Sequence, residues 1–324
     1  MAQQSTHTVL MVQPISFGFD DQTAQTNTFQ NKLDMAPREV TQRALREFDS
    51  YVNKLRRHDI DVIVFKDQPL PAKPNAVFPN NWLSTWADGK VFLYPMATES
   101  RRIERSEKLL HDLNESFGVE EIIDYSKQEM NDNFLESTGV MIFDHVHKIV
   151  YGCLSPRCNE QLFRDHAVEL GYRPVCFRAY ANGTAIYHTN VLMGVQSTTA
   201  VICLEAITDV VERQMVKESL EKTGHEVVDI TLEQMSKFAG NVLEVQNTHG
   251  KKFLVLSQTA YDALTSAQRE ALSRDKTLLP MAIPTIETIG GGSARCMIAE
   301  IFLPAVAPVP LVSVENTAGQ LIIE

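Results

Sequence analysis

The sequence predicts an α/β fold assembled from a repeated strand, strand, helix, strand unit, and three observations predict it. Apolar strand-like runs come in pairs joined by short polar connections, as hairpins require. A helical pattern follows most pairs, and a single further strand then closes the unit. A polar residue opens the first strand of five successive units: Asn81, Glu136, His188, Asn241 and Cys296, spaced at near-constant intervals of a little over fifty residues. In a circular array of such units the five side chains meet at one end of a common axis.

The elements follow in order. The start of the chain supplies a strand at residues 8–13, a helix at 38–57 and a strand at 60–65. Strand pairs are expected at 81–86 with 91–94, 138–143 with 148–152, 189–195 with 200–204, and 241–245 with 252–256. Helical patterns occupy 101–117, 159–170 and 208–223; in the last, Val210, Val211, Met215, Val216 and Leu220 recur at helical spacing and Gly224 provides the stop. Single strands close the units at 119–123, 172–177 and 226–230. No Pro/Gly/Ser-rich linker interrupts the pattern, so the expectation is one domain over residues 1–324.

Composition excludes several function classes. With a net charge of −11 and no dense basic cluster, the chain lacks the electrostatic face that nucleic acid or anionic lipid needs. The short runs Lys54-Leu55-Arg56-Arg57 and Arg101-Arg102 read as solvated helix faces. The polar start, Met1 to His7, is not a secretory leader, and no apolar run approaches the roughly 18 residues of a membrane span. The five cysteines are odd in number and scattered, which argues against a disulfide framework and for a reducing cytoplasm. No metal is expected: Cys153-x4-Cys158 lacks a second ligand pair, and His145 and His147 flank a hairpin turn as solvated residues. Small polar molecules are the expected partners, with no nucleic acid and no membrane; a homo-oligomer is compatible with the sequence, which leaves the assembly open.

The five polar positions gather a thiol, an imidazole, a carboxylate and two carboxamides. A thiolate is the nucleophilic form of cysteine, so Cys296 needs an activating neighbour, and His188 can act as base and then as acid to a leaving amine. Glu136 can fix the tautomer of His188 and favour its charged form. Gly290-Gly291-Gly292 precedes a strand, whereas a phosphate-binding loop precedes a helix; a nucleotide site is therefore excluded, and the glycines read as a mobile or tightly bent approach that positions Cys296. Arg295, beside the nucleophile, and Arg178 are the candidates for holding a substrate carboxylate.

Gly-Gly-Gly-Ser-Ala-Arg-Cys-Met at 290–297 resembles the nucleophile loop of the guanidine-modifying superfamily, which includes arginine deiminases, dimethylarginine hydrolases, agmatine deiminases and glycine amidinotransferase. His188-Thr189-Asn190-Val191 is similar to its histidine segment, and Ala239-Gly240-Asn241-Val242-Leu243 to the asparagine strand that follows. Phe78-Pro79-Asn80-Asn81-Trp82 matches its first substrate motif in placement, and Leu135-Glu136-Ser137-Thr138-Gly139 its Glu-Gly-Gly segment with two glycines replaced. The resemblance implies a five-fold pseudosymmetric α/β propeller and cysteine-dependent C–N hydrolysis without a cofactor. Members that process arginine carry carboxylates where Asn81 and Asn190 stand. Two amides cannot neutralise a buried cation but can donate to and accept from a neutral ureido group. The forms here resemble the citrulline-utilisation branch, so the expected reaction is citrulline to ornithine, ammonia and carbon dioxide through an S-carbamoyl enzyme. Three alternatives stay open: a deiminase or amidinotransferase on a guanidino substrate, a silent binding protein on the same scaffold, and an acid such as Asp132 supplying the missing charge.

Overall fold

Strand pairing in the computed structural model, which describes residues 3–306, repeats one pattern five times. In chain order, β1 (Thr8–Val12) runs parallel to β2 (Asp61–Phe65). Then β3 (Leu83–Thr85) pairs antiparallel with β4 (Lys90–Leu93), which lies parallel to β5 (Glu121–Asp124). The same arrangement joins β6 (Met141–Asp144), β7 (Ile149–Cys153) and β8 (Arg173–Phe177). A two-stranded ribbon, β9 (Tyr180–Ala181) and β10 (Thr184–Ala185), turns through Asn182 and Gly183, both at positive φ. Two more copies follow: β11 (Met193–Val195), β12 (Thr199–Ile202) and β13 (Glu226–Asp229), then β14 (Leu243–Gln246), β15 (Lys252–Ser257) and β16 (Thr277–Met281). Last, β17 (Ala299–Ile301) returns to pair antiparallel with β1, Thr8 opposite Ile301, completing the first sheet. The architecture is mixed α/β.

Parallel pairs need crossovers, and helices supply them. The helix Pro37–Arg56 links β1 to β2; Val40, Ala44, Phe48, Tyr51, Val52 and Leu55 form its buried stripe, and proline sits in its first turn, where no N–H partner is lost. Middle strands such as β1 and β7 are buried along their whole length, which is why they read as unbroken apolar runs. The pattern at 101–117 resolves into two helices, Glu99–Arg102 and Glu107–Ser116, the second capped by Ser106. In the helix Val210–Lys222 only Val216, Ser219 and Leu220 are buried, while Val210, Val211 and Met215 stay on the surface near the Asp209 cap.

The inner strands β3, β6, β11, β14 and β17 are shorter than the sequence pattern suggests. The residues ahead of them are helical turns rather than strand: Pro79–Asn81, Ser137–Val140, Thr189–Leu192 and Ala294–Met297. Ser137 enters its turn at φ 41°, in the left-handed region. Inner strands of neighbouring sheets touch one another: β17 with β3, β6 with β11, and β11 with β14. This packing brings the turns ahead of them together. No helix among the described residues is long and apolar enough to cross a membrane. Met1 and Ala2 of the polar start, and residues 307–324 of the expected single domain, lie outside the described residues.

Candidate active site

Cys296 sits in the turn just ahead of β17, 5% exposed, and two amide groups reach its sulfur. Asn241 Nδ2 donates to Cys296 Sγ at 3.3 Å, and Asn190 Nδ2 at 3.4 Å. The Asn241 orientation is unambiguous, because its Oδ1 accepts from the Arg295 backbone N–H at 3.0 Å, leaving Nδ2 for the sulfur and for the Asn190 carbonyl at 2.9 Å. The two N–H donors fix the position of the sulfur.

His188 lines the same cavity as Cys296, and its Nε2 lies 2.7 Å from Glu136 Oε2. A carboxylate only accepts, so Nε2 carries the proton and neutral His188 presents a lone pair at Nδ1. Glu136 is fully buried; burial pushes its carboxyl up, but the Arg157 guanidinium at 3.3 Å and the His188 hydrogen bond hold it well below the usual carboxylate range. Its Oε1 also accepts the Ala97 N–H at 3.0 Å. For His188, burial is the largest influence and pushes it down to about 4 against the pull of Glu136. The imidazole is therefore held neutral, the reverse of the charged form expected from the pairing alone.

Asn81 is held by a residue that the basic run had concealed. Arg101 is 3% exposed, not solvated: it forms a buried ion pair with Glu104 at 2.7 Å and donates to Asn81 Oδ1 at 2.6 Å. Asn81 Nδ2 is buried and makes no hydrogen bond, and Asn190 Oδ1 is likewise free. Asn81, in the cavity lining, thus has one unused donor, and Asn190, behind the lining at the Cys296 sulfur, has one unused acceptor. Gly139 makes this arrangement fit, since a Cβ there would lie 2.3 Å from Asn81 Nδ2 and 3.0 Å from the His188 ring. Arg157, the second missed cation, is 2% exposed; it joins Glu136 to the Thr26 hydroxyl and the Thr23 carbonyl. Its only trace in the sequence is a Pro-Arg turn, away from the phase of the five anchors.

Two expected residues lie elsewhere. Arg178 is on the surface, half exposed, with Glu160 and Glu212 each at 3.7 Å. Its expected role as a carboxylate ligand is corrected: its charge is met by surface acids and it does not line the cavity. Arg295 is buried, but its guanidinium turns to the Ile298 carbonyl at 3.0 Å and Glu300 at 3.1 Å, within a separate interior cleft that it shares with His145 and Glu244. Only its backbone serves the site, so its side chain is corrected in the same way. Asp132 is exposed and does not line the cavity.

The cavity is small, about 20 Å³, room for roughly one water. Residues 20–31 roof it: Asn27 donates to the Gly291 carbonyl at 3.1 Å and Gln30 to the Ile289 carbonyl at 3.1 Å. Gly290 closes the helix Pro284–Gly290, Gly291 follows at φ 63°, and all three glycines are buried, so the loop is the tightly bent approach and not the mobile one. A larger surface groove of about 500 Å³ shares Tyr187 with the cavity but holds none of Cys296, His188 and Asn81, which line the smaller space.

Comparison with known proteins agrees with this architecture. No curated protein matches the chain. Among solved structures, the arginine dihydrolase ArgZ of cyanobacteria superposes with a TM-score of 0.71 at 15% identity, covering 93% of this chain. The chain spans 41% of the length of that protein. The isolated amino-terminal domain of ArgZ, a cysteine-to-serine variant bound to substrate, gives 0.70 at 15% identity, covering 91% of this chain and 99% of that one. A cysteine-to-serine variant of DDAH from Pseudomonas aeruginosa complexed with citrulline gives 0.63 at 12% identity, covering 93% and 99%. The family described as N,N dimethylarginine dimethylhydrolase, eukaryotic, matches residues 13–303. That span runs from the end of β1 through the cysteine turn to the close of β17, so the chain belongs to the N,N dimethylarginine dimethylhydrolase family, within the guanidine-modifying superfamily.

Proposed function

We propose that this protein is a cysteine-dependent hydrolase that cleaves a C–N bond of a ureido amino acid, with citrulline as the substrate. The lining of the cavity carries this reading: among the described residues no carboxylate lines it, while the guanidinium groups of Arg101 and Arg157 do. Arg101 can only donate, so Asn81 must turn its own donor away from it. A guanidinium would bring donors and a positive charge to that donor; a ureido group brings a carbonyl acceptor to Asn81 Nδ2 and an N–H to Asn190 Oδ1.

In the proposed steps, Cys296 thiolate attacks the ureido carbon while Asn81 stabilises charge gathering on the carbonyl oxygen. His188, having taken up the thiol proton, returns it to the departing δ-amine, releasing ornithine and leaving an S-carbamoyl cysteine. His188 then removes a proton from water, which attacks the carbamoyl carbon. The thiolate leaves, and the carbamate breaks down to ammonia and carbon dioxide. Glu136 holds the imidazole and steadies its charged form during transfer. Arg101 and Arg157 replace Arg295 and Arg178 as the cations facing the substrate. No cofactor enters these steps. The repeated sheet topology further supports reading the five sheets as blades of a five-fold pseudosymmetric propeller, and the composition supports a cytoplasmic setting.

A guanidino substrate is the second reading, favoured by the arginine dihydrolase and dimethylarginine hydrolase names of the relatives. Separate incubations with citrulline, arginine and N,N-dimethylarginine, with products read by mass, divide the two. Ornithine from citrulline with little turnover of the others is the expected result. Citrulline formed from either guanidino compound would overturn the ureido reading.

A further inference from the structure

We propose that Asp144, His147 and His225 form a binding site for one divalent transition-metal ion of the zinc class. The group lies at the far end of β6 from Glu136, where Asp144 closes the strand, His147 sits in the hairpin to β7, and His225 immediately precedes β13 of another sheet. One ligand atom from each residue lies within 4.8 Å of the other two. His147 Nδ1 is 2.9 Å from Asp144 Oδ2, and His225 Nδ1 is 4.0 Å from the same oxygen. These spacings bracket the roughly 3.3 Å edge of a tetrahedron with bonds of about 2.0 Å.

His225 distinguishes this group from an ordinary surface ion pair. Its Nε2 is 2.9 Å from the Gln196 backbone carbonyl, an acceptor only, so Nε2 carries the proton. Nδ1 then faces a buried carboxylate oxygen, with the Thr223 hydroxyl beside it at 2.8 Å. The 4.0 Å between Nδ1 and the carboxylate oxygen is too long for a direct hydrogen bond and leaves room for a bridging cation. An imidazole whose remote N–H is tied to a backbone carbonyl is also the usual supported form of a histidine ligand. Two imidazoles and one carboxylate suit zinc and its neighbours rather than magnesium or calcium. His147 is exposed, so an ion can enter from solvent and water can complete its coordination. On binding, the ion takes the place of the proton that His147 Nδ1 now shares with Asp144 and ties two sheets together.

The test uses protein carrying Cys296→Ser, so that the thiol cannot capture the ion. Zinc chloride titrated by calorimetry is expected to bind at one ion per chain and to raise the thermal midpoint. Adding His147→Ala should weaken that binding tenfold or more and abolish the rise. The rise is read against the metal-free midpoint of the same variant, since His147→Ala also removes a hydrogen bond from buried Asp144; Asp144→Asn, expected to weaken zinc binding likewise, gives a second, independent variant. Equal zinc affinity with and without His147, or no saturable binding at all, would overturn the site whatever the substrate proves to be.

Discussion

A guanidinium cannot accept a hydrogen bond, and at Arg101 that one property sets what the cavity presents. Because Arg101 claims Asn81 Oδ1, replacing Asn81 by aspartate removes the free donor and adds a carboxylate beside the cation. Asn81→Asp should lower kcat/KM for citrulline by about 10²–10³, the usual cost of one donor at a developing oxyanion. A citrulline rate unchanged in steady-state assays would remove Asn81 from the chemistry. His188 gives a pH test. Its native value of about 4 lies below the 6.5 of an unburied histidine, so its contribution to stability is complete above pH 6.5. Between 6.5 and 4 the unfolded chain binds a proton that the native site resists, and stability falls. Urea midpoints of His188→Asn should therefore decline less across that window than those of the parent; parallel declines would show that burial does not hold the ring neutral. Glu136 acts lower still, its contribution being lost only as pH falls below the ordinary carboxylate range.

Among the elements, the repeat was legible because hairpin, helix and strand alternate with near-constant spacing, and helix Pro37–Arg56 and most strands lie within a residue or two of expectation. The anchors Glu136, His188, Asn241 and Cys296 were legible for the same reason. Arg101 and Arg157 were not, since neither lies at the anchors' phase and each is defined by partners distant in the chain. Arg101 shares a four-residue helix with Arg102, and a sequence has no means of telling which of two adjacent arginines turns inward. The glycine loop was half legible: its flexibility could be read, its burial could not. Gly291 illustrates the difference, because its φ of 63° favours glycine and a Cβ there would lie 2.5 Å from Gln30 Cγ. Gly291→Ala should cost about 1–3 kcal/mol of stability and lower turnover, as the roof at residues 20–31 is forced off the cavity. A variant with parental melting temperature and rate would mean that the roof yields freely.

At the scale of the whole molecule, the first and last strands belong to one sheet. β17 covers the edge of β1, and the Thr6 hydroxyl donates to the Ile301 carbonyl at 2.7 Å. A chain ending before Ala299 should therefore lose cooperative unfolding in calorimetry, whereas one ending after residue 306 should keep it; a cooperative transition in the shorter chain would show that the sheet closes without its last strand. The same pairing orders events during synthesis. β1 and β2 are made first, yet their sheet waits for β17, the last strand among the described residues. Cys296 travels just ahead of that strand. A nascent chain thus carries His188 and Glu136 long before it carries Cys296, which arrives with the segment that completes the first sheet. A chain released early therefore lacks both Cys296 and the strand that completes its first sheet.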